Sequence, residues 1–322
     1  MKYAAGIDLG GTNIAVGIIN EQFEIIGRSN RETALPRPAN AILTDAADAV
    51  REAAANAGLS LTDLDWVGIG SPGIVNRETG RVDYSCNLDF YDEDLRETLS
   101  ALLGRPIYMD NDANAAAYGE FVAGGAKGAK DAVIITLGTG IGGGIIIDGK
   151  IYSGFNFAGA EIGHTVIEKG GRPCTCGRNG CFEAYCSATG LIATTREAMQ
   201  AHPESRMWEL CGHELSRVDG RTAFDGMRQG DPTAEETVRQ YISDLACGVT
   251  NLINTFSPEI FCIGGGISKE GDTLIAPLKE LVSKEVYSRF SKKQTEIVPA
   301  TLGNDAGIIG AAALGLQFAE AK

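Results

Sequence analysis

The sequence predicts an α/β protein of two related lobes around a cleft. The chain has 322 residues, more than one small core holds and enough for two α/β lobes. Short apolar runs alternate with alanine-rich stretches that read as helices. A strand–glycine turn–strand unit also occurs twice, and a repeat of that kind decides the fold class.

The first unit is an apolar run over 3–8 ending in Asp8, the turn Gly10-Gly11-Thr12-Asn13, and a second run over 14–19. Strand, glycine turn, strand reads as a hairpin. Residues 23–26 read as a third strand. Alanine-rich 41–57 reads as a helix stopped by Gly58. A buried strand over 66–70 leads to Ser71-Pro72-Gly73, and 74–87 reads as a second hairpin turning at Glu78-Thr79-Gly80. A helix follows over 92–103 with Gly104 at its end, then a strand over 106–109. Asn111-Asp112-Ala113-Asn114 opens another alanine-rich helix. The pattern then restarts with a strand over 133–137, the turn Gly138-Thr139-Gly140 and a strand over 144–147. Leu9-Gly10-Gly11-Thr12 and Leu137-Gly138-Thr139-Gly140 stand in equivalent places. Helices over 189–199 and 233–255, strands over 260–263 and 297–300, and a terminal helix over 305–318 complete the reading. No Pro-, Gly- or Ser-rich tether separates the halves.

Apolar residues make up 44% of the chain, which supplies a packed interior and argues against global disorder. The formal charge of −14 argues against nucleic acid as the main partner, since binding phosphates needs a basic face. It gives no reason to expect an anionic membrane surface. No run approaches the roughly 18 apolar residues of a membrane span. Met1-Lys2-Tyr3 leads directly into a strand, so no signal region is expected. Eight cysteines in a chain this long do not form a disulfide framework; the expected compartment is the reducing cytoplasm.

Gly10-Gly11-Thr12-Asn13 and Gly138-Thr139-Gly140 can each present backbone N–H groups and a hydroxyl to a phosphate, since glycine allows close approach. Taken alone, each is also an ordinary tight hairpin. Neither is a G-x-x-x-x-G-K-[ST] loop. The G-x-G-x-x-G-like spacing in 138–144 sits inside a hairpin, unlike a dinucleotide site. Asp8 is placed as a Mg²⁺ partner, since Mg²⁺ takes few carboxylates beside substrate phosphates; a turn-capping carboxylate is the competing reading. Asp112 reads either as a helix N-cap or as a general base toward a substrate hydroxyl.

His164, Cys174, Cys176 and Cys181 make a complete tetrahedral zinc set, closed and therefore structural. Cys86, Cys186, Cys247 and Cys262 read as buried thiols. The zinc would pin the loops carrying Glu161, His164 and Glu183, groups that suit the hydroxyls of a polyol. Metal on one ring nitrogen of His164 would direct the other toward such a hydroxyl.

On these residues the chain resembles the ROK family, whose members are repressors, open-reading-frame proteins and sugar kinases, and within it the glucokinases. The motifs are Asp8-Leu9-Gly10-Gly11-Thr12, Asn111-Asp112-Ala113-Asn114, 137–144, 159–164, the C-x-C-G-x-x-G-C-x-E run over 174–183, and 262–266. The resemblance implies an actin-like, RNase H-like fold with a central cleft. It implies a small lobe over 1–112 plus 302–322 and a large lobe over 113–301 with the zinc loop. ATP would lie between the two glycine hairpins with its adenosine near Gly264-Gly265. The hexose would contact Gly73, Asn87, Asn111, Asp112, Glu161, His164 and Glu183. Asn13 stands where many relatives carry lysine, which removes cationic help at that position. Glu161 is the glucokinase-like choice, where N-acetylmannosamine kinases tend to carry His. The implied activity is transfer of the γ-phosphate of ATP to the 6-hydroxyl of glucose, with ATP, Mg²⁺ and structural Zn²⁺. Mannose, allose, fructose or an N-acetyl-hexosamine are alternative substrates. A homodimer or tetramer is implied. Repressors of the family carry a helix-turn-helix before the first strand; here that strand opens at residue 3, and a sugar-sensing regulator would lack that domain. A kinase for an acid or polyol fits the zinc run and Glu161 less well.

Overall fold

The computed structural model describes residues 1–319; residues 320–322 of the expected small lobe lie outside them. The chain forms two compact units: Met1–Ala132 with Gly144–Ala160 and the segment from Thr301 onward, and Val133–Gly143 with Glu161–Ala300.

The first unit opens with β1 (Tyr3–Leu9) and β2 (Asn13–Asn20), an antiparallel hairpin in which Asp8 faces Ala15 and Leu9 faces Ile14. The strand expected at 23–26 lies further on, as β3 (Ile25–Glu32). Helix α1 (Ala39–Asn56) buries Ile42, Leu43, Ala46, Ala47, Val50, Ala53 and Ala54, an apolar stripe at helical spacing. Strand β4 (Trp66–Ser71) runs parallel to β1 with Asp8 opposite Gly70. Then come β5 (Ile74–Asn76), β6 (Arg81–Ser85) and β7 (Phe90–Asp94), a small antiparallel sheet. The helix expected from residue 92 starts later, as α2 (Leu95–Leu103). Residues 93 and 94 pair with β6, and the Asp94 side chain caps the helix by accepting from Glu97 N at 2.9 Å. Strand β8 (Ile107–Asn111) feeds α3 (Asp112–Ala123), and the sheet order is β3-β2-β1-β4-β8.

The repeat follows. Strands β9 (Ala132–Leu137), β10 (Ile141–Ile147) and β11 (Lys150–Tyr152) precede α4 (Phe182–Cys186), α5 (Ala188–Ala201), α6 (Met207–Leu210) and α7 (Thr222–Arg228). Helix α8 (Pro232–Phe256) carries Pro232 at its first position and Asp231 as N-cap. After it come β12 (Ile260–Gly265), α9 (Asp272–Glu285), β13 (Glu296–Pro299) and α10 (Ala306–Phe318). The second five-stranded sheet has the order β11-β10-β9-β12-β13, with the boundary between the units falling inside β10 at Gly143/Gly144. Strand for strand this is the order of the first sheet, so the internal repeat read from the two glycine turns is a repeat of topology.

Helix α10 packs on the first sheet and on α3 almost without side chains between. A Cβ on Gly6 would overlap the Ile308 carbonyl oxygen, one on Gly68 the Ala311 carbonyl, and one on Gly310 the Ala115 carbonyl. Such contact fixes the direction of α3, since close-packed backbones leave no slack. No helix among the described residues is long and apolar enough to cross a membrane, and none of the eight cysteines forms a disulfide.

Candidate active site

In the first unit, the parallel strand ends bring the predicted residues of that unit together. Asp8, next to the end of β1, lies opposite Gly70, and Asn111 ends β8 opposite Ser71. Asn111, and not Asp112, is the N-cap of α3: its side-chain oxygen accepts from Ala113 N at 2.9 Å and Asn114 N at 3.2 Å. Its Nδ2 donates to the Gly73 carbonyl at 3.1 Å. The two readings of Asp112 therefore separate. The capping role belongs to its neighbour, and Asp112 stands at the first helical position with Oδ1 accepting from Ala113 N at 2.9 Å. The turn Gly10-Gly11-Thr12-Asn13 is closed by Gly10 N donating to Asn13 O at 2.8 Å. Thr33 braces it, its N–H on Thr12 O and its hydroxyl on Gly10 O. A Cβ on Gly11 would lie 3.4 Å from the Asn87 carbonyl oxygen, so Asn87 stands over the turn.

Burial, and then the neighbouring Asp112 charge, push the Asp8 carboxyl up to about 6. A like charge nearby with little water between raises the proton affinity of Asp8, and a divalent cation is the partner that would relieve it. The consequence for stability has a definite sign. The folded state binds this proton more tightly than the unfolded chain, whose carboxyl titrates near 3.8. The ionised form therefore costs stability above about pH 6, and the cost fades as pH falls through the window down to 3.8. Asp8→Asn is expected to raise the Tm of the cation-free protein at pH 7, by about 1–3 kcal/mol of stability, and to leave it near wild type at pH 4. Thermal melts at the two pH values with a chelator present check this.

Behind α3 lies a network that sequence reading missed. Asp110 is 2% exposed; it accepts from Asn111 N at 2.8 Å, Asn114 Nδ2 at 2.9 Å and Arg77 at 2.7 Å. Burial raises its pKa, and Arg77 is the first of the groups opposing that rise. The Arg77 guanidinium also sits 4.6 Å from the Phe318 ring centroid. Asp110, the residue before the cap, thus fixes Asn111 and Asn114, and hence the start of α3. The run Asp110-Asn111-Asp112 at a strand end was the available signal; the partner Arg77 is 33 positions away.

In the second unit, the turn Gly138-Thr139-Gly140 closes with Gly138 N on Gly140 O at 3.0 Å. Gly265, at φ +89, ends β12 so close to the turn that a Cβ there would overlap the Leu137 backbone. Gly264-Gly265 and the turn are therefore neighbours, as a shared nucleotide role would require.

His164, Cys174, Cys176 and Cys181 offer four ligand atoms all within 4.8 Å of one another. Cys174 Sγ lies 3.6 Å from His164 Nδ1, and Cys176 Sγ lies 3.6 Å from Cys181 Sγ. With Zn–S near 2.3 Å and Zn–N near 2.05 Å, a tetrahedron has edges of about 3.5 Å (S···N) and about 3.8 Å (S···S). The donor set fits zinc in number, type and spacing. Burial first, then the neighbouring Cys176 and Cys174 sulfurs, push the Cys181 thiol well above its ordinary value; a bound dication would reverse that cost. Arg178 donates to the His164 carbonyl at 2.9 Å and ties the two arms of the loop. Glu161 is exposed, one residue before the short 3₁₀ turn Ile162–His164. Glu183 lies in α4, two residues past Cys181.

Two sheets of identical strand order, each with a glycine turn between its first two strands, define the actin-like class of α/β phosphotransferases. The sequence matches the ROK family over residues 4–317, and the chain belongs to that family. It is 37% identical over 310 residues to a glucokinase of Thermotoga maritima, covering 96% of both chains. It is 35% identical over 316 residues to a glucokinase of Streptomyces coelicolor, covering 98% of both. Among solved structures it superposes on a ROK family glucokinase from Streptomyces griseus in complex with glucose and AMPPNP. The TM-score is 0.80 at 33% identity, over 98% of this chain and 99% of that one.

Proposed function

We propose that the protein is an ATP-dependent glucokinase that transfers the γ-phosphate of ATP to the 6-hydroxyl of glucose. The observation that carries this is the likeness, over 98% of the chain, to a glucokinase holding glucose and a non-hydrolysable ATP analogue. In this reading Asp112 accepts the proton of the 6-hydroxyl as that oxygen attacks the γ-phosphorus and ADP leaves. Positioning and electrostatics supply most of the acceleration in such a reaction. Asn111, Asp112, Gly73, Asn87, Glu161, His164 and Glu183 hold the sugar hydroxyls. The N–H groups of Gly10–Asn13 and Gly138–Gly140 hold phosphate oxygens, and Gly264-Gly265 borders the adenosine. Asp8 is the carboxylate that would hold Mg²⁺, which neutralises charge on the transferring phosphate. His164, Cys174, Cys176 and Cys181 would hold a structural Zn²⁺. Exclusion of water on substrate binding keeps ATP from being hydrolysed. The small lobe is assigned to 1–112 plus the C-terminal helix and the large lobe to 113–301. We place the enzyme in the cytoplasm, in carbohydrate metabolism, as a homo-oligomer without nucleic-acid or membrane partners. That none of the eight cysteines forms a disulfide, together with the acidic balance, supports the compartment and partner assignments.

Coupled detection of ADP with ATP and Mg²⁺ across glucose, mannose, allose, fructose and N-acetylglucosamine tests the reading. Glucose should give the highest kcat/KM. A higher value with another hexose replaces the substrate; no ADP release with any of them ends the assignment.

A further inference from the structure

The zinc loop and the second glycine turn, well separated in sequence, are joined by one short segment. Cys181 is the N-cap of α4. Two residues on, Glu183 places its carboxylate between loop and turn. Oε2 accepts from Ile141 N at 2.9 Å, at the exit of the turn. Oε1 accepts from the Thr175 hydroxyl at 3.4 Å and lies 3.7 Å from Cys174 Sγ. Immediately after α4, Ala188 N donates to Gly138 O at 2.8 Å, and the Thr189 hydroxyl donates to Thr139 O at 2.8 Å. Helix α4 itself is anchored: Phe182 is fully buried, and a Cβ on Gly248 of α8 would overlap its ring. Tyr241 of α8 donates to the Cys186 carbonyl at 2.9 Å.

These bonds have a directional effect. In a trans peptide the N–H points opposite to the carbonyl of the same unit. Holding Gly138 O on Ala188 therefore aims the Thr139 N–H away from the segment. Holding Thr139 O on Thr189 does the same for the Gly140 N–H. Segment 183–189 thus orients the donors of the turn, and the metal loop holds the start of that segment.

We infer that Glu183 is a positioning residue coupling metal occupancy of the Cys/His loop to the affinity of the Gly138–Gly140 turn for a nucleotide triphosphate. This rests on the nucleotide role proposed for that turn. By linkage, metal and nucleotide each tighten the other's binding by the same factor.

The test is calorimetric titration of Mg·AMPPNP without sugar, alongside zinc content by elemental analysis. Zinc-stripped wild type and zinc-loaded Glu183→Ala should each bind roughly tenfold more weakly than zinc-loaded wild type, the scale of one lost charge-assisted hydrogen bond. Glu183→Gln, which keeps an acceptor for Ile141 N, should recover most of the affinity. Stripping zinc from Glu183→Ala should add less than about threefold, because the link is already cut. Unchanged affinity on stripping and in Glu183→Ala overturns the coupling, and so do two fully independent losses. Where the stripped protein melts, zinc-loaded Glu183→Ala and Thr189→Val decide: tenfold weaker binding with full zinc upholds it, wild-type binding overturns it. Gly138→Val separates the two levels. If it leaves AMPPNP binding intact, the turn is not a nucleotide site and both readings fall. If it abolishes binding while zinc and Glu183 have no effect, only the coupling falls.

Discussion

Asp112→Asn is expected to lower kcat by roughly 10²-fold or more, the usual scale for losing a general base, while glucose affinity stays near wild type. The amide keeps the size of the carboxylate and can still accept from Ala113 N and from a sugar hydroxyl, but it cannot take the proton. The fold has little reason to change, because Asn111 supplies the N-cap of α3 and Asp110 holds the Asn111 N–H. The loss should therefore fall on the chemical step. Removing the Asp112 charge also removes one of the two influences that raise Asp8, so Asp8 in the variant should ionise at lower pH. Steady-state kcat with glucose titration by calorimetry checks the split. Near-normal turnover would take Asp112 out of the role.

Cys176→Ala is expected to lower zinc affinity by at least the roughly 10- to 100-fold seen when the support of a metal site is removed, and to weaken glucose binding with it. Cys176 suits the experiment because it is exposed, whereas Cys181 is buried; substituting the latter would mix metal loss with packing loss. The variant leaves three of the four ligands, and the loop that presents His164 loses its pin. Elemental analysis and glucose titration measure both effects. A wild-type protein without one equivalent of zinc would refute the site itself.

The sequence carried these features unequally. The glycine turns were legible because each is flanked by apolar runs of strand length, and comparing them exposed the repeat. The Cys/His set was legible because three ligands crowd into eight residues, Cys174 to Cys181. Strand β7 was not: Asp92-Glu93-Asp94 carries no apolar alternation, and its pairing with β6 is fixed by Arg81 bridging to Asp92 and Asp94. Helix α9 was hidden by Pro277 inside it, a residue that ordinarily signals an end. The buried Arg77–Asp110 pair could not be read from spacing at all, because only the fold brings those two positions together. Adjacent Asn and Asp at a helix start left the cap unresolved; hydrogen-bond geometry assigned it to Asn111.

Helix α10 has a consequence for how the polypeptide matures during synthesis. Gly6, Gly68 and Gly119, spread over the first 119 positions, all lie against backbone of residues 306–312. That face of the first sheet therefore waits, uncovered, until residues 306–312 have been translated. Segment 133–300 contains the second unit's own strands and helices and is complete earlier. The order of folding should run from the middle outward, against the usual N-terminal-first sequence, and the helix bearing Asp112 acquires its final orientation last.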